Sequence, residues 1–252
     1  MGTLVAVEAR AAEVATAERA IHAAFTAIHY VEWLLHPTRR GSELALLNRL
    51  APGARRLVHP WTAGVLRLSR ELCARSGGIF EPALPGQGSI MNWELTGPRG
   101  VYLRRHALVD LGGIAKGYAV DQAVTAMRRA GAHAGLVNAG GDLRVYGADY
   151  WLVSVRDQDG PFQYRPLQQL PLRNLALAAS GDSGDSRPRE HRGYYQRGET
   201  VRRAPPGAAT VIAPSAALAD ALTKVKMFAA PALSAALLAR YGARALTVPS
   251  PA

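Results

Sequence analysis

Three short segments carry residue types that could do phosphate or metal chemistry. In Val109-Asp-Leu-Gly-Gly-Ile-Ala-Lys-Gly-Tyr-Ala-Val-Asp121, a strand-like run ends at Asp110, two glycines follow, and Lys116-Gly117 opens a helical pattern. A glycine turn feeding a helix N-terminus brings free amides and the positive end of the helix dipole to one point, where an anion can sit. Lys116 would add a point charge for a phosphate. The spacing is neither GxGxxG nor GxxxxGK[ST], so a plain glycine turn beside a solvated lysine is the other reading. Asn138-Ala-Gly-Gly-Asp142 reads as a tight hairpin or as a backbone pocket for a ligand ring. Ala219-Asp-Ala-Leu-Thr-Lys224 sets Asp220 and Thr223 three apart on one face of a predicted helix. Carboxylate, hydroxyl and carbonyl oxygens are what Mg²⁺ accepts; a solvated helix face is the alternative.

The elements that must position these segments follow from periodicity. Residues 3–9 alternate and suit a strand. Residues 11–35 run without Gly or Pro, with Val14, Ala17, Ile21, Phe25, Ile28, Val31 and Leu35 as an apolar helical stripe that Pro37 stops. Ser42 can cap a short helix through Leu50. Pro60 opens another through Arg75, ended by Gly77 and Gly78. A loop-rich stretch spans 81–99, with strands expected at 101–103 and 107–109 and a helix over 117–130. Strands are predicted at 135–138, 143–146, 151–156 and 172–178. An exposed loop or flap is predicted over 181–206. A strand at 210–213, helices over 216–229 and 232–241 and a strand at 244–248 close the chain. Helices mix with hairpin-like runs, which argues for an α+β fold. No repeat or low-complexity linker divides residues 1–252, so a single domain is expected.

Composition excludes several classes. The chain has 252 residues, 48% hydrophobic, enough for a substantial core and against a disordered chain. No run of about 18 apolar residues exists to cross a membrane. The formal charge is +11, and of 30 basic residues only Lys116, Lys224 and Lys226 are lysines. The arginines come as scattered pairs with no interleaved aromatic platform, which argues against nucleic acid. The single Cys73 excludes an intramolecular disulfide and lies at the edge of an apolar helical stripe, as a buried structural thiol would. No secretory signal is visible from Met1, so a cytoplasmic protein is expected as written, or a periplasmic one if a signal precedes Met1.

Taken together and in order, the three segments resemble the ApbE family of FAD:protein FMN transferases. Met1-Gly-Thr3, Ser42-Glu-Leu-Ala-Leu-Leu-Asn48, Ser76-Gly-Gly-Ile-Phe-Glu81 and Ala179-Ser-Gly-Asp182 extend the match over nearly the whole chain. The resemblance implies an α+β, T-fold-like architecture with mixed and antiparallel sheets packed with helices around a FAD cleft. It implies Mg²⁺-dependent attachment of FMN from FAD to a Thr or Ser hydroxyl of an acceptor protein, with release of AMP. By the same resemblance, Met1, Ile79, Phe80, Glu81, Asp110 and Lys116 contact FAD; Gly113, Asp220 and Thr223 hold the metal; and Asp220 and Lys116 are the catalytic pair. The chain departs from the family pattern at four places. Thr38 stands where an aromatic is usual, Glu81 replaces Asp, and Lys224 takes the place of a metal-binding Thr or Ser. The family's His-Ile-x-Asp-Pro stretch is not recognisable, His191 being its possible stand-in. The alternative is a FAD-binding protein or FAD pyrophosphatase with weak or no transferase activity.

Overall fold

A computed structural model describes residues 3–156, 166–181, 194–197, 200–203 and 209–246. In chain order, the first half holds β1 (Val5–Arg10), α1 (Val14–Leu35), α2 (Glu43–Leu47), β2 (Arg55–Leu57), α3 (Pro60–Arg75), a 3₁₀ turn (Ile90–Asn92), β3 (Trp93–Thr96), β4 (Gly100–Leu103) and α4 (Ala115–Arg129). The second half holds β5 (Ala134–Ala139), β6 (Asp142–Tyr146), β7 (Trp151–Arg156), β8 (Pro166–Leu172), β9 (Ala176–Ser180), β10 (Tyr194–Arg197), β11 (Thr200–Arg203), β12 (Ala209–Ala213), α5 (Ala216–Phe228), α6 (Pro231–Arg240) and β13 (Arg244–Leu246). None of the described helices is long and apolar enough to cross a membrane.

The central sheet is six-stranded and antiparallel, in the order β1-β5-β6-β9-β12-β13. Helices α1, α4 and α5 pack together with this sheet in one large apolar cluster. The β7–β8 hairpin lays Trp151, Val153, Val155, Leu170 and Leu172 against Leu143, Val145, Leu177 and Ile212. Burial on both faces is why β12, Ala209-Thr-Val-Ile-Ala213, is buried at every position, whereas edge strand β1 alternates. A smaller sheet, β2-β4-β3, is tied to α3 by Arg70, which donates to the carbonyls of Ile90 and Met91 in the 3₁₀ turn and of Trp93 in β3.

The mixed α+β class is as expected, with instructive differences in detail. In α1 the buried stripe is Ala20, Ala24, Ala27, Ile28, Val31, Leu34 and Leu35, while Val14 is exposed and Ile21 and Phe25 are half-buried. Alanines, not the larger side chains, face inward in the first half of the helix, since α1 lies close against α4. The strand expected at 107–109 is a single bridge, Ala83 to Val109. The 172–178 strand is two strands, because Asn174 adopts φ 53° and its amide bonds both the N–H and the C=O of Gly147. Within 181–206, β10 and β11 pair as a hairpin rather than forming a loop. Helix α3 has the expected bounds, and the Gly77-Gly78 stop takes positive φ at both residues.

Candidate active site

The site is assembled where two helices begin side by side. Its first part is the loop into α4. Asn48, at the end of α2, accepts from the Val109 N–H at 2.8 Å and donates to its carbonyl at 2.9 Å. A side-chain amide thus pairs this stretch as a neighbouring strand would. Asp110 is exposed, and its Oδ1 accepts from the Gly112 N–H at 2.8 Å, turning the chain into the helix.

The second part is a reciprocal exchange of carboxylates between helix N-termini. Asp121 of α4 accepts from the Ala216 and Ala217 N–H groups of α5, each at 2.9 Å, and from Arg144 at 2.7 Å. Asp220 of α5 lies 3.4 Å from the Gly117 N–H of α4. Each helix therefore places an anion at the positive end of the other. Close approach needs the glycine: a Cβ on Gly117 would stand 2.2 Å from the Ala216 carbonyl oxygen.

Four charged groups converge at this junction. Lys116 donates to Asp142 and lies 3.7 Å from Asp220; Lys224 also donates to Asp220. The carboxylate side chains are 1% and 0% exposed, that of Lys116 is 34% exposed, and that of Lys224 13%. The anions are therefore beneath and an ammonium is presented above. Burial and the charge of Asp220 push the Asp142 carboxyl up to about 7 against the pull of Lys116. Burial also acts to raise Asp220, but Lys116, Lys224 and the Gly117 amide outweigh it and hold its carboxyl below the ordinary range. Around them runs a chain of hydroxyls. Thr223 donates to the Asp220 carbonyl at 2.6 Å and meets the Ser180 hydroxyl at 2.7 Å, while Lys224 donates to Ser180 at 3.1 Å and to the Asp220 carbonyl at 3.0 Å.

Gly113, Lys116, Asp220 and Thr223, singled out from sequence, thus belong to one junction, while Asp110 stays exposed on the loop that leads into it. Phe80 joins it: a Cβ on Gly113 would stand 3.6 Å from the Phe80 ring and 3.5 Å from Lys224 Cε. Ile79 and Phe80 are 6% and 4% exposed and are swung inward by the turn in which Ser76 accepts from the Phe80 N–H. Glu81 is committed elsewhere. Its carboxylate accepts from the Ala83 and Ile90 amides at 2.9 and 3.0 Å, from the Ser89 hydroxyl at 2.5 Å and from the Cys73 thiol at 3.4 Å, so it shapes loop 82–90. Met1 and His191 lie outside the described residues.

Sequence reasoning missed Asp142 and Ser180 as members of the site. The Asn138-to-Asp142 turn is a tight hairpin, with φ 66° at Gly140 and 99° at Gly141. That turn starts β6 at Asp142 and so aims its carboxylate at Lys116. The signal was present in the aspartate directly after the glycines.

The chain as a whole is similar to known proteins. The model of the ApbE family matches residues 1–98 and 89–247. A FAD:protein FMN transferase of Rhodobacter capsulatus is 28% identical over 233 residues, covering 78% of this chain and 42% of that protein. One from Treponema pallidum is 25% identical over 209 residues, covering 64% of this chain and 58% of the relative. The chain spans about half the length of the curated relatives it matches. The flavinyl transferase ApbE of Pseudomonas stutzeri, in its apo form, superposes with a TM-score of 0.78 at 21% identity, over 97% of this chain and 86% of that one. The apbe protein of Thermotoga maritima gives 0.74 at 20% identity, over 96% and 88%. These two likenesses show the fold.

Proposed function

The chain belongs to the ApbE family, and from that premise we propose that it is a FAD:protein FMN transferase, acting on a Thr or Ser hydroxyl of an acceptor protein. In the proposed reaction the acceptor oxygen bonds to the FMN-side phosphorus of FAD. The pyrophosphate bridge breaks, AMP leaves with the bridging oxygen, and the hydroxyl proton is released. Such a transfer demands stabilisation of charge on phosphoryl oxygens. The observation that carries the reading is Lys116, an ammonium one-third exposed above two buried carboxylates at the start of α4. A phosphate meeting it would also meet the dipole of that helix. In this reading Lys116 touches the pyrophosphate, Asp220 orients the ammonium groups, Asp110 and the Gly112-Gly113 backbone bound the nucleotide side, and Phe80 with Ile79 backs the pocket.

The Mg²⁺ that the resemblance assigns to Gly113, Asp220 and Thr223 is tested by the state of those oxygens. Lys224 is bonded to the Asp220 carboxylate and carbonyl, and the Thr223 hydroxyl is bonded to that carbonyl and to Ser180. These residues, as they stand, do not fit the ion, and no step of the proposal runs through it.

Chromatography of AMP release from FAD, with and without an acceptor domain bearing a target Thr, tests the reading. We expect AMP to appear only with the acceptor. Equal AMP and FMN without acceptor would make the protein a FAD pyrophosphatase instead.

A further inference from the structure

We infer that the ammonium of Lys224 is the built-in cation of this site and excludes a divalent metal from it. The inference deepens the proposed function and rests on that reading for its substrate, FAD.

The donors and acceptors around Lys224 are saturated. An ammonium has three N–H donors and no acceptor. Lys224 Nζ meets three oxygens: Asp220 Oδ1, the Asp220 carbonyl at 3.0 Å and Ser180 Oγ at 3.1 Å. Those oxygens come from a carboxylate, a backbone carbonyl and a hydroxyl, the set a hard divalent cation would want. The neighbouring hydroxyl is spoken for too. The Thr223 proton goes to the Asp220 carbonyl at 2.6 Å, so at the 2.7 Å contact Ser180 donates to Thr223.

Geometry and charge point the same way. Mg²⁺ requires oxygens at about 2.0–2.1 Å in near-octahedral array, within a space that Lys224 already fills. The lysine stem is packed, with Cε 3.5 Å from where a Cβ of Gly113 would lie, and the side chain is mostly buried. Two buried carboxylates, Asp142 and Asp220, are matched by two ammonium groups, Lys116 and Lys224. A further divalent charge would meet like charge rather than uncompensated anion. Among the described residues, no group of three His, Cys, Asp or Glu side chains could hold a metal ion. When FAD arrives, its pyrophosphate would meet the Lys116 ammonium, with the buried charge of Lys224 beneath it in place of a metal.

The test compares wild type with Lys224→Thr, which replaces the ammonium with one hydroxyl. Mn²⁺ binding to the FAD-free proteins is read by electron paramagnetic resonance of the free ion, and thermal unfolding is followed in EDTA and in MgCl₂. We expect wild type to take up no Mn²⁺ and to melt alike in both media. Lys224→Thr should bind Mn²⁺ at least about tenfold more tightly and regain stability with Mg²⁺. Wild type binding Mn²⁺ as tightly as the variant, or a folded variant indifferent to both ions, would overturn the inference. Should Lys224→Thr not fold, the wild-type titration decides alone: stoichiometric Mn²⁺ uptake refutes it, and no uptake upholds it. Flavin fluorescence quenching separates this from the parent reading. Failure of wild type to bind FAD in either medium defeats the transferase reading, while the metal titrations still judge the lysine.

Discussion

A lysine held one-third exposed over two carboxylates that are almost fully buried is placed to receive an anion. Removing its charge with Lys116→Ala should weaken FAD binding by about tenfold to a hundredfold, the range for losing a charge-assisted bond to phosphate. Quenching of flavin fluorescence reads this, and Lys116→Arg should recover part of the loss. Glu81 belongs to a different class of residue, because its four donors lie within the protein. Glu81→Gln turns one acceptor into a donor facing donors, and should cost about 1–2 kcal/mol in urea unfolding. The Cys73 thiol, beside that carboxylate, is pushed up to about 12 by burial and by the Glu81 charge. A raised thiol keeps its proton in the folded state, so its contribution is intact below the ordinary thiol value and is lost as pH rises toward 12. Native Cys73 should therefore resist thiol reagents at pH 8 that label it readily in urea. The sequence reading of Cys73 as buried agrees with its 4% exposure. The use of Glu81 was not legible, because its partners Ser89 and Ile90 are met only after loop 82–90 closes back on α3.

Elements place these residues through the paired N-termini of α4 and α5. Asp121 serves α5 and Asp220 serves α4, so the two helices share one electrostatic joint. Burial pushes the Asp121 carboxyl up against Arg144 and the two amides that pull it down. Asp121→Asn should destabilise the fold by about 2 kcal/mol, seen as a shift of the denaturation midpoint without a change in slope. Gly117→Ala acts on the same joint sterically. A methyl group 2.2 Å from the Ala216 oxygen forces the helices apart. Stability should fall by about 1–3 kcal/mol together with FAD binding, because Lys116 and Asp220 part as well. Local signals made these helices readable: Pro60 opens α3, Ser42 caps α2, and the Ser215 hydroxyl accepts from the Leu218 N–H of α5. Their partnership was not readable. The contact between residues 117 and 220 depends on α4 and α5 packing beside one another, which no short stretch of sequence encodes. Ser180 reaches Thr223 for a similar reason, since β9 lies against α5.

At the scale of the molecule, the charge of +11 and the chemistry are separate matters. The arginines are spread in pairs along the chain, while two of only three lysines meet at Asp220. The α+β class was legible from alternating and helical periods, and the sheet order was not, since β9 and β12 pair across a long excursion. The likeness of the whole chain to flavinyl transferase folds is close even at about one-fifth identity, as expected where burial pattern and turn geometry, rather than particular core residues, specify a fold. The central claim, transfer of FMN to a protein hydroxyl, is tested most directly by intact-mass spectrometry of an acceptor domain bearing a target Thr after incubation with this protein and FAD. The expected result is a gain of one FMN, as phosphoester, that is absent with a Thr→Ala acceptor and strongly reduced with Lys116→Ala. An acceptor of unchanged mass, across several Thr-bearing domains and with FAD demonstrably bound, would contradict it.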